Sequence, residues 1–226
     1  MTPDDLPPVI TIDGPTASGK GTVAYRVAKR LGYHYLDSGA LYRLTALRAL
    51  QQGVDLQDEE GVAHLAKTLD VVFADEHVFL EGCDVSDDLR SEKVGQCASQ
   101  VAAYPKVRQA LFQRQRDFRQ PPGLVCDGRD MGSVIFPDAK LKIFLTASVD
   151  ARAERRVKQL IQKGIPATLA NVVRELAIRD ERDANRPVAP LVCLDDSFSI
   201  DTTHITADEA VEKILHWYAL STALSQ

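Results

Sequence analysis

The chain has 226 residues, 45% of them hydrophobic and 26% charged, which suits one compact domain or one domain carrying an insertion. Its formal net charge of -5 excludes an extended phosphate-backbone surface as the main activity, because DNA and RNA select basic faces. The opening Met-Thr-Pro-Asp-Asp-Leu-Pro-Pro is acidic, and no apolar run spans a bilayer, so neither signal peptide nor membrane span is expected and the cytoplasm is the expected location.

The first predicted element, Val9–Asp13, is a short apolar strand ending in the loop Gly14-Pro15-Thr16-Ala17-Ser18-Gly19-Lys20-Gly21-Thr22. Gly14 is expected to turn the chain sharply out of the strand. Gly19 is expected to keep side-chain bulk away from N–H groups that point at an anion. Those groups, with the positive end of a helix predicted from Lys20 to about Leu31, suit triphosphate oxygens. A strand, turn and helix without a ligand is the plainer reading. It leaves the lysine at the far side of the loop unexplained.

A second strand at His34–Leu36 leads into a helix marked by Leu41, Leu44, Leu47 and Leu50. Asp37 or Ser38 can act as its N-cap. Capping does not account for Arg43, about one turn into the helix, where a cation gains nothing from the dipole; a bound phosphate would. Between Gly53 and about Tyr104 the pattern becomes a helix of Val62, Leu65 and Leu69, then Val71–Phe73, a polar turn at Asp75-Glu76, and Val78–Leu80. This predicts a helix-plus-hairpin insertion over residues 53–104, open to reading as a specificity module or a stabilising appendage.

Strands at Leu124–Asp127, Leu141–Leu145 and Phe198–Asp201 complete an α/β pattern: a five-stranded parallel sheet with helices on both faces, its core over residues 1–52 and 105–226. Ligands of such sheets sit beyond the carboxyl ends of the strands. Asp127-Gly-Arg-Asp130 meets that rule with two carboxylates and Arg129; a solvated polar turn is the alternative. From Pro166 to Arg186 a helix is predicted, with Leu169, Val172, Val173 and Leu176 on one side and Arg179, Arg182, Asp183 and Arg186 on another. Arg182 and Arg186 would form a like-charged i,i+4 pair, costing a bare helix about 0.2–0.5 kcal/mol, so either a ligand or solvent compensates them. Arg152, Arg155 and Arg156 lie upstream, and Gly164 and Pro166 separate the two clusters. Residues 152–186 therefore read as a lid that closes over triphosphate and expels water. Ala210, Val211, Ile214, Leu215 and Tyr218 mark a final amphipathic helix. Cys83, Cys97, Cys126 and Cys193 form no Cys-x-x-Cys pair and are expected to be buried thiols.

Taken together, Ile12-Asp-Gly-Pro-x-x-x-Gly-Lys-Gly-Thr22, Leu36-Asp-Ser-Gly-Ala-Leu-Tyr-Arg43, Ala98-Ser-Gln-Val-Ala102, Asp127-Gly-Arg-Asp-Met-Gly132 and Arg182-Asp-x-x-Arg186 closely resemble bacterial cytidylate kinases over nearly the whole chain. Gly21 stands where the strict phosphate-loop pattern has Ser or Thr; the Lys-Gly-Thr ending resembles nucleoside monophosphate kinases rather than GTPases or motor ATPases. The resemblance implies a single P-loop NTPase-type three-layer unit in which ATP phosphorylates CMP or dCMP. It implies that Gly14–Thr22 hold ATP and that Lys20, Arg129, Arg182 and Arg186 act on the migrating phosphoryl group. Arg43, Arg129 and Arg186, with Ser38, would gather the CMP phosphate, Arg179 and Asp183 the ribose, and Ser99, Arg108 and Asp130 the cytosine. Cytosine offers an N4 donor to a carboxylate, whereas uracil presents an acceptor there. Mg2+ is implied as the partner of ATP, with Thr22, or Asp127 and Asp13 through water, as its open protein contacts. A monomer without nucleic-acid or membrane partners is expected.

Two rivals share the loop. One is a P-loop kinase acting on UMP, AMP or shikimate; a shikimate-type site has no need for the insertion or for Ser99, Arg108 and Asp130. The other is a nucleotide-dependent switch, but the guanine-reading Asn-Lys-x-Asp element is missing and the arginines are supplied in the same chain.

Overall fold

The computed structural model describes residues 6–74, 77–162 and 164–223; the opening acidic residues and the turn expected at Asp75-Glu76 lie outside them. In chain order the first elements are β1 (Val9–Asp13), α1 (Lys20–Leu31), β2 (His34–Asp37), α2 (Ser38–Gln52) and α3 (Glu59–Lys67). Then come β3 (Val71–Ala74), β4 (His77–Leu80), β5 (Cys83–Asp84), α4 (Ser86–Leu89), α5 (Glu92–Val101) and α6 (Pro105–Arg116). The chain closes with β6 (Leu124–Gly128), β7 (Leu141–Thr146), α7 (Val149–Gln162), α8 (Leu169–Asn185), β8 (Phe198–Asp201) and α9 (Ala207–Ala223). Contacts divide these into two units, residues 6–36 with 118–223, and residues 37–117.

The first unit is built on a sheet of order β2-β6-β1-β7-β8. β1 is buried at every position, which explains its unbroken apolar run: a central parallel strand has both faces covered. It pairs in parallel with β6 and β7, Asp13 standing opposite Gly128 and Phe144. The segments that follow all three strands therefore leave the sheet at one edge. Val23, Ala24 and Val27 of α1 and Ala210, Val211 and Ile214 of α9 pack with Ile10, Ile12, Val125 and Ile143 in the main core. α7 and α8 form a second cluster from Ala153, Leu160, Val172 and Leu176, against which Ala17 of the phosphate loop packs.

The second unit carries an antiparallel sheet of β3, β4 and β5, with Val71 opposite Leu80 and Phe79 opposite Asp84. The strand β5 was not legible in the sequence, being only two residues long. α2 packs on α5 and α3, and α3 on α6. Asp58 and Ser91 cap α3 and α5 through the N–H groups of Gly61 and Val94.

Four local expectations need correcting. Leu69 is buried but lies beyond the end of α3. α8 starts at Leu169 rather than Pro166, capped by the Thr168 hydroxyl on the N–H of Asn171. It ends at Asn185, and Arg186 has extended backbone (φ -63°, ψ 139°), so Arg182 and Arg186 are not an i,i+4 helical pair; Pro187 forces its predecessor out of the helical region. Of the cysteines only Cys126 is buried, while Cys83 and Cys193 are exposed.

Candidate active site

Of the three glycines in the phosphate loop, Gly14 and Gly19 answer to different demands of the backbone. A Cβ on Gly14 would lie 2.0 Å from the Leu145 carbonyl oxygen of β7, so this glycine permits a close approach of loop to strand end. Gly19 has φ +91°, with no protein atom within 4 Å of a Cβ there; it permits a left-handed turn. Gly19 is also the N-cap of α1, and no side chain caps that helix end, which leaves its first N–H groups directed at the space an anion would occupy. Lys20 is 8% exposed and donates its ammonium to the Pro15 carbonyl at 3.1 Å, which draws the lysine back across its own loop.

The end of β6 is no solvated turn: Asp127 and Asp130 are 4% and 3% exposed. Arg129 donates from Nε to Asp183 Oδ2 at 2.6 Å and from Nη2 to the Thr16 hydroxyl at 2.7 Å. Arg186 pairs with Asp130 at 3.1 Å and donates to the Ala189 carbonyl. Burial alone would raise Asp183, but the charge and hydrogen bond of Arg129, with Arg186 and Lys20 further off, hold it below the ordinary carboxylate range. Burial likewise opposes the charge on Arg129, and Asp183 more than offsets it. The Cys126 thiol is pushed up by burial and then by Asp13, Asp127 and Asp130, which makes it a poor nucleophile. Arg179 is partly buried on α8 and Arg182 is exposed there.

Asp13 closes the site from beneath. Its carboxylate accepts from the N–H groups of Met131 at 2.9 Å and Gly132 at 2.8 Å, the first residues of a π-helical turn over Met131–Ile135 that sequence periodicity did not reveal. Gly132 lets this turn press on β1, since a Cβ would come 2.8 Å from the Thr11 hydroxyl. Burial pushes Asp13 up to about 6 in spite of those two bonds. Each Asp13 carboxylate oxygen accepts one backbone N–H, which leaves further lone pairs on both for a water. Asp127 holds the Tyr35 hydroxyl on Oδ1 at 2.8 Å beside Gly21, with Thr22 exposed one residue on. Among the described residues no group of three or more His, Cys, Asp or Glu gathers as a metal cluster.

Two of the three upstream arginines, Arg152 and Arg155, are bonded within the protein. Arg155 donates to the hydroxyl and carbonyl of Thr202. Arg152 is buried, with bonds to the Ala147 carbonyl at 3.0 Å, the Thr16 carbonyl at 2.9 Å and Asp180 at 2.7 Å. Neither Arg152's role nor Tyr35's had a local signal, because their partners lie far away in the chain.

The remaining expected site residues lie in the second unit. Asp37, not Ser38, caps α2, accepting from the Ala40 N–H at 3.1 Å; Ser38 is buried. Arg43 donates to the Leu89 carbonyl at 2.7 Å, at the negative end of α4, with its guanidinium against Gly95, where a Cβ would stand 3.1 Å from Nη1. This accounts for its position in the structure without a phosphate. Arg108 is buried, donates to the Ala102 carbonyl at 3.3 Å and lies over the Tyr42 ring at 5.8 Å. Ser99 is partly buried on α5.

Comparison with known proteins adds three findings. A family model described as Cytidylate kinase matches residues 10–219. The cytidylate kinase of Bordetella pertussis is 59% identical over 211 residues, covering 93% of this chain and 95% of the relative; that of Chromobacterium violaceum is 60% identical over 211 residues with the same coverage. Among solved structures, an uncharacterized protein from Eubacterium ventriosum aligns over 94% of this chain and 98% of its own with a TM-score of 0.51 and 12% identity, a likeness of fold alone. A phosphate loop, a buried arginine–carboxylate site at the neighbouring strand end and relatives of this identity over nine-tenths of the sequence lead to one conclusion: the chain belongs to the cytidylate kinase family.

Proposed function

We propose that the protein transfers the γ-phosphoryl group of ATP to CMP or dCMP, releasing ADP and CDP or dCDP. The observation that carries this reading is the meeting of the Gly14–Thr22 loop with the buried pairs Arg129–Asp183 and Arg186–Asp130. Phosphoryl transfer asks chiefly for positioning and charge neutralisation, and these groups supply both. The loop's N–H groups and Lys20 receive the donor phosphates, while Arg129, Arg182 and Arg186 offset charge on the transferring group. The acceptor is already an anion, so no general base is assigned. Mg2+ bound with ATP would neutralise phosphate charge; Thr22, or Asp127 and Asp13 through water, are the groups that would hold it.

Arg43, Arg129, Arg186 and Ser38 take the CMP phosphate, Arg179 and Asp183 the ribose, and Ser99, Arg108 and Asp130 the base. The two ion pairs keep the buried charges compensated without acceptor, and substrate binding exchanges them for contacts to phosphate, ribose and cytosine. Residues 53–104 serve as the acceptor-binding insertion and residues 152–186 as the lid. The protein works as a cytoplasmic monomer, with no nucleic-acid or membrane partner.

The test is ADP release with MgATP and, separately, CMP, dCMP, UMP, AMP, GMP and shikimate, with Asp130→Asn alongside. Turnover confined to CMP and dCMP, with selectivity over UMP weakened in the variant, is the expected result. Turnover on another acceptor, or none, would overturn the reading.

A further inference from the structure

Thr16 is held at its hydroxyl and at its carbonyl. Its hydroxyl accepts from Arg129, which pairs with Asp183, and its carbonyl accepts from Arg152, which pairs with Asp180. Asp180 and Asp183 both belong to α8, three residues apart and so neighbours on one face of the helix. The contacts close into a ring that runs from Thr16 through Arg152 to Asp180, along one turn of α8 to Asp183, and back through Arg129. We propose that Arg152 is a positioning residue that fixes the phosphate loop to α8 through this ring, so that occupation of the loop by ATP organises the helix carrying the acceptor's Arg179 and Asp183. The inference rests on the functional reading above.

Stability gives little reason to keep Arg152. Its side chain is 4% exposed and its one carboxylate partner is 24% exposed, and a buried ion pair is commonly no better for stability than apolar residues of equal volume. Its geometry is informative instead. One planar guanidinium reaches three directions at once: the Ala147 carbonyl at the end of β7, the loop, and α8. A lysine, with one ammonium, cannot reproduce that fork. Val172 and Leu176 of α8 belong, with Ala153 and Leu160 of α7, to the cluster against which Ala17 packs, so loop and helix share one apolar cluster next to the ring.

Two ligands coupled through one element must each tighten the other by the same factor, commonly about 5- to 150-fold. The experiment measures CMP affinity by calorimetry with and without a non-hydrolysable Mg–ATP analogue, in the unaltered protein, Arg152→Lys, Asp180→Asn and the double variant. In the unaltered protein the analogue is expected to tighten CMP. In each single variant that factor should fall about tenfold or to unity, the double variant should fall no further, and CMP affinity without the analogue should stay within about twofold of the unaltered protein. Asp180→Asn is close to isosteric at a partly exposed site, so it carries the test if Arg152→Lys does not fold. Variants that keep the full factor and lose only thermal stability would overturn the inference, as would CMP binding in the unaltered protein that the analogue does not tighten. Absence of CMP binding and turnover in the unaltered protein would instead remove the functional reading, and the inference with it.

Discussion

Lys20 and Asp13 show how far a single residue's role depends on what it touches. The lysine's place after Gly19 is where the sequence leads one to expect a phosphate contact, and in the structure it is buried and bonded to the Pro15 carbonyl. Lys20→Met should leave the melting temperature close to the unaltered value and lower turnover by at least about 10²–10³-fold, the effect of removing one preorganised charge-stabilising donor; near-normal turnover would sink the assignment. Asp13 looked from the sequence like a candidate for magnesium through water. In the structure it also receives the N–H groups of Met131 and Gly132, which no reading of neighbouring residues could reveal. Its folded value of about 6 lies above the ordinary 3.8, so the folded state binds more protons than the unfolded state between those values. Stability from this group is therefore fully present below about pH 4 and lost as pH rises to 6, by about 3 kcal/mol at 1.36 kcal/mol per unit. Melting temperatures across pH 4–7, compared with Asp13→Asn, should differ in slope in that window and run parallel above it. A Tm difference that stays constant across the whole range would refute the shift.

At the scale of elements, the strand–loop–helix unit at the start of the chain was legible because each part has its own local signal: an apolar run, bounding glycines and a helical period. The reasons for the two glycines were not. Gly14 answers to the Leu145 carbonyl on a strand far along the chain, whereas Gly19 answers to its own backbone angle. Gly14→Ala should destabilise the fold by about 3 kcal/mol or more, since backbone rather than a yielding side chain blocks the new methyl. Gly19→Ala should cost about 1–2 kcal/mol through its left-handed backbone. Chemical denaturation of both variants checks the order; equal losses would contradict it. The short π-helical turn after β6 escaped the sequence because a five-residue element offers too little periodicity. The C-terminal limit of α8 was legible in Pro187, yet the same proline puts Arg186 outside the helix, where it meets Asp130 instead of extending a cationic stripe.

The whole molecule carries a net charge of -5 while Arg129 and Arg186 stand beside the end of β6, a balance suited to a small anionic ligand and unfavourable to a polyanion. Labelled single- and double-stranded DNA and RNA should therefore show no mobility shift at physiological salt. A shift that weakens steeply with added salt would contradict that expectation. No described helix is long and apolar enough to cross a membrane. Size-exclusion chromatography with light scattering should return a mass near 24.9 kDa, and a concentration-independent mass of twice that would refute the monomer.

By itself the sequence determined the parallel α/β class, the phosphate loop, the edge of the sheet where ligands belong, and the resemblance that the relatives support, because strand and helix periods, glycine spacing and motif order are all written locally. Only the tertiary structure decided which arginine faces which carboxylate, what Gly14 and Gly19 each answer to, that Asp13 supports the turn after β6, and that Arg152 joins the phosphate loop to α8. Those outcomes depend on burial and on contacts between residues far apart in the chain, where desolvation and exact distance set the strength of a charge or the cost of a methyl group.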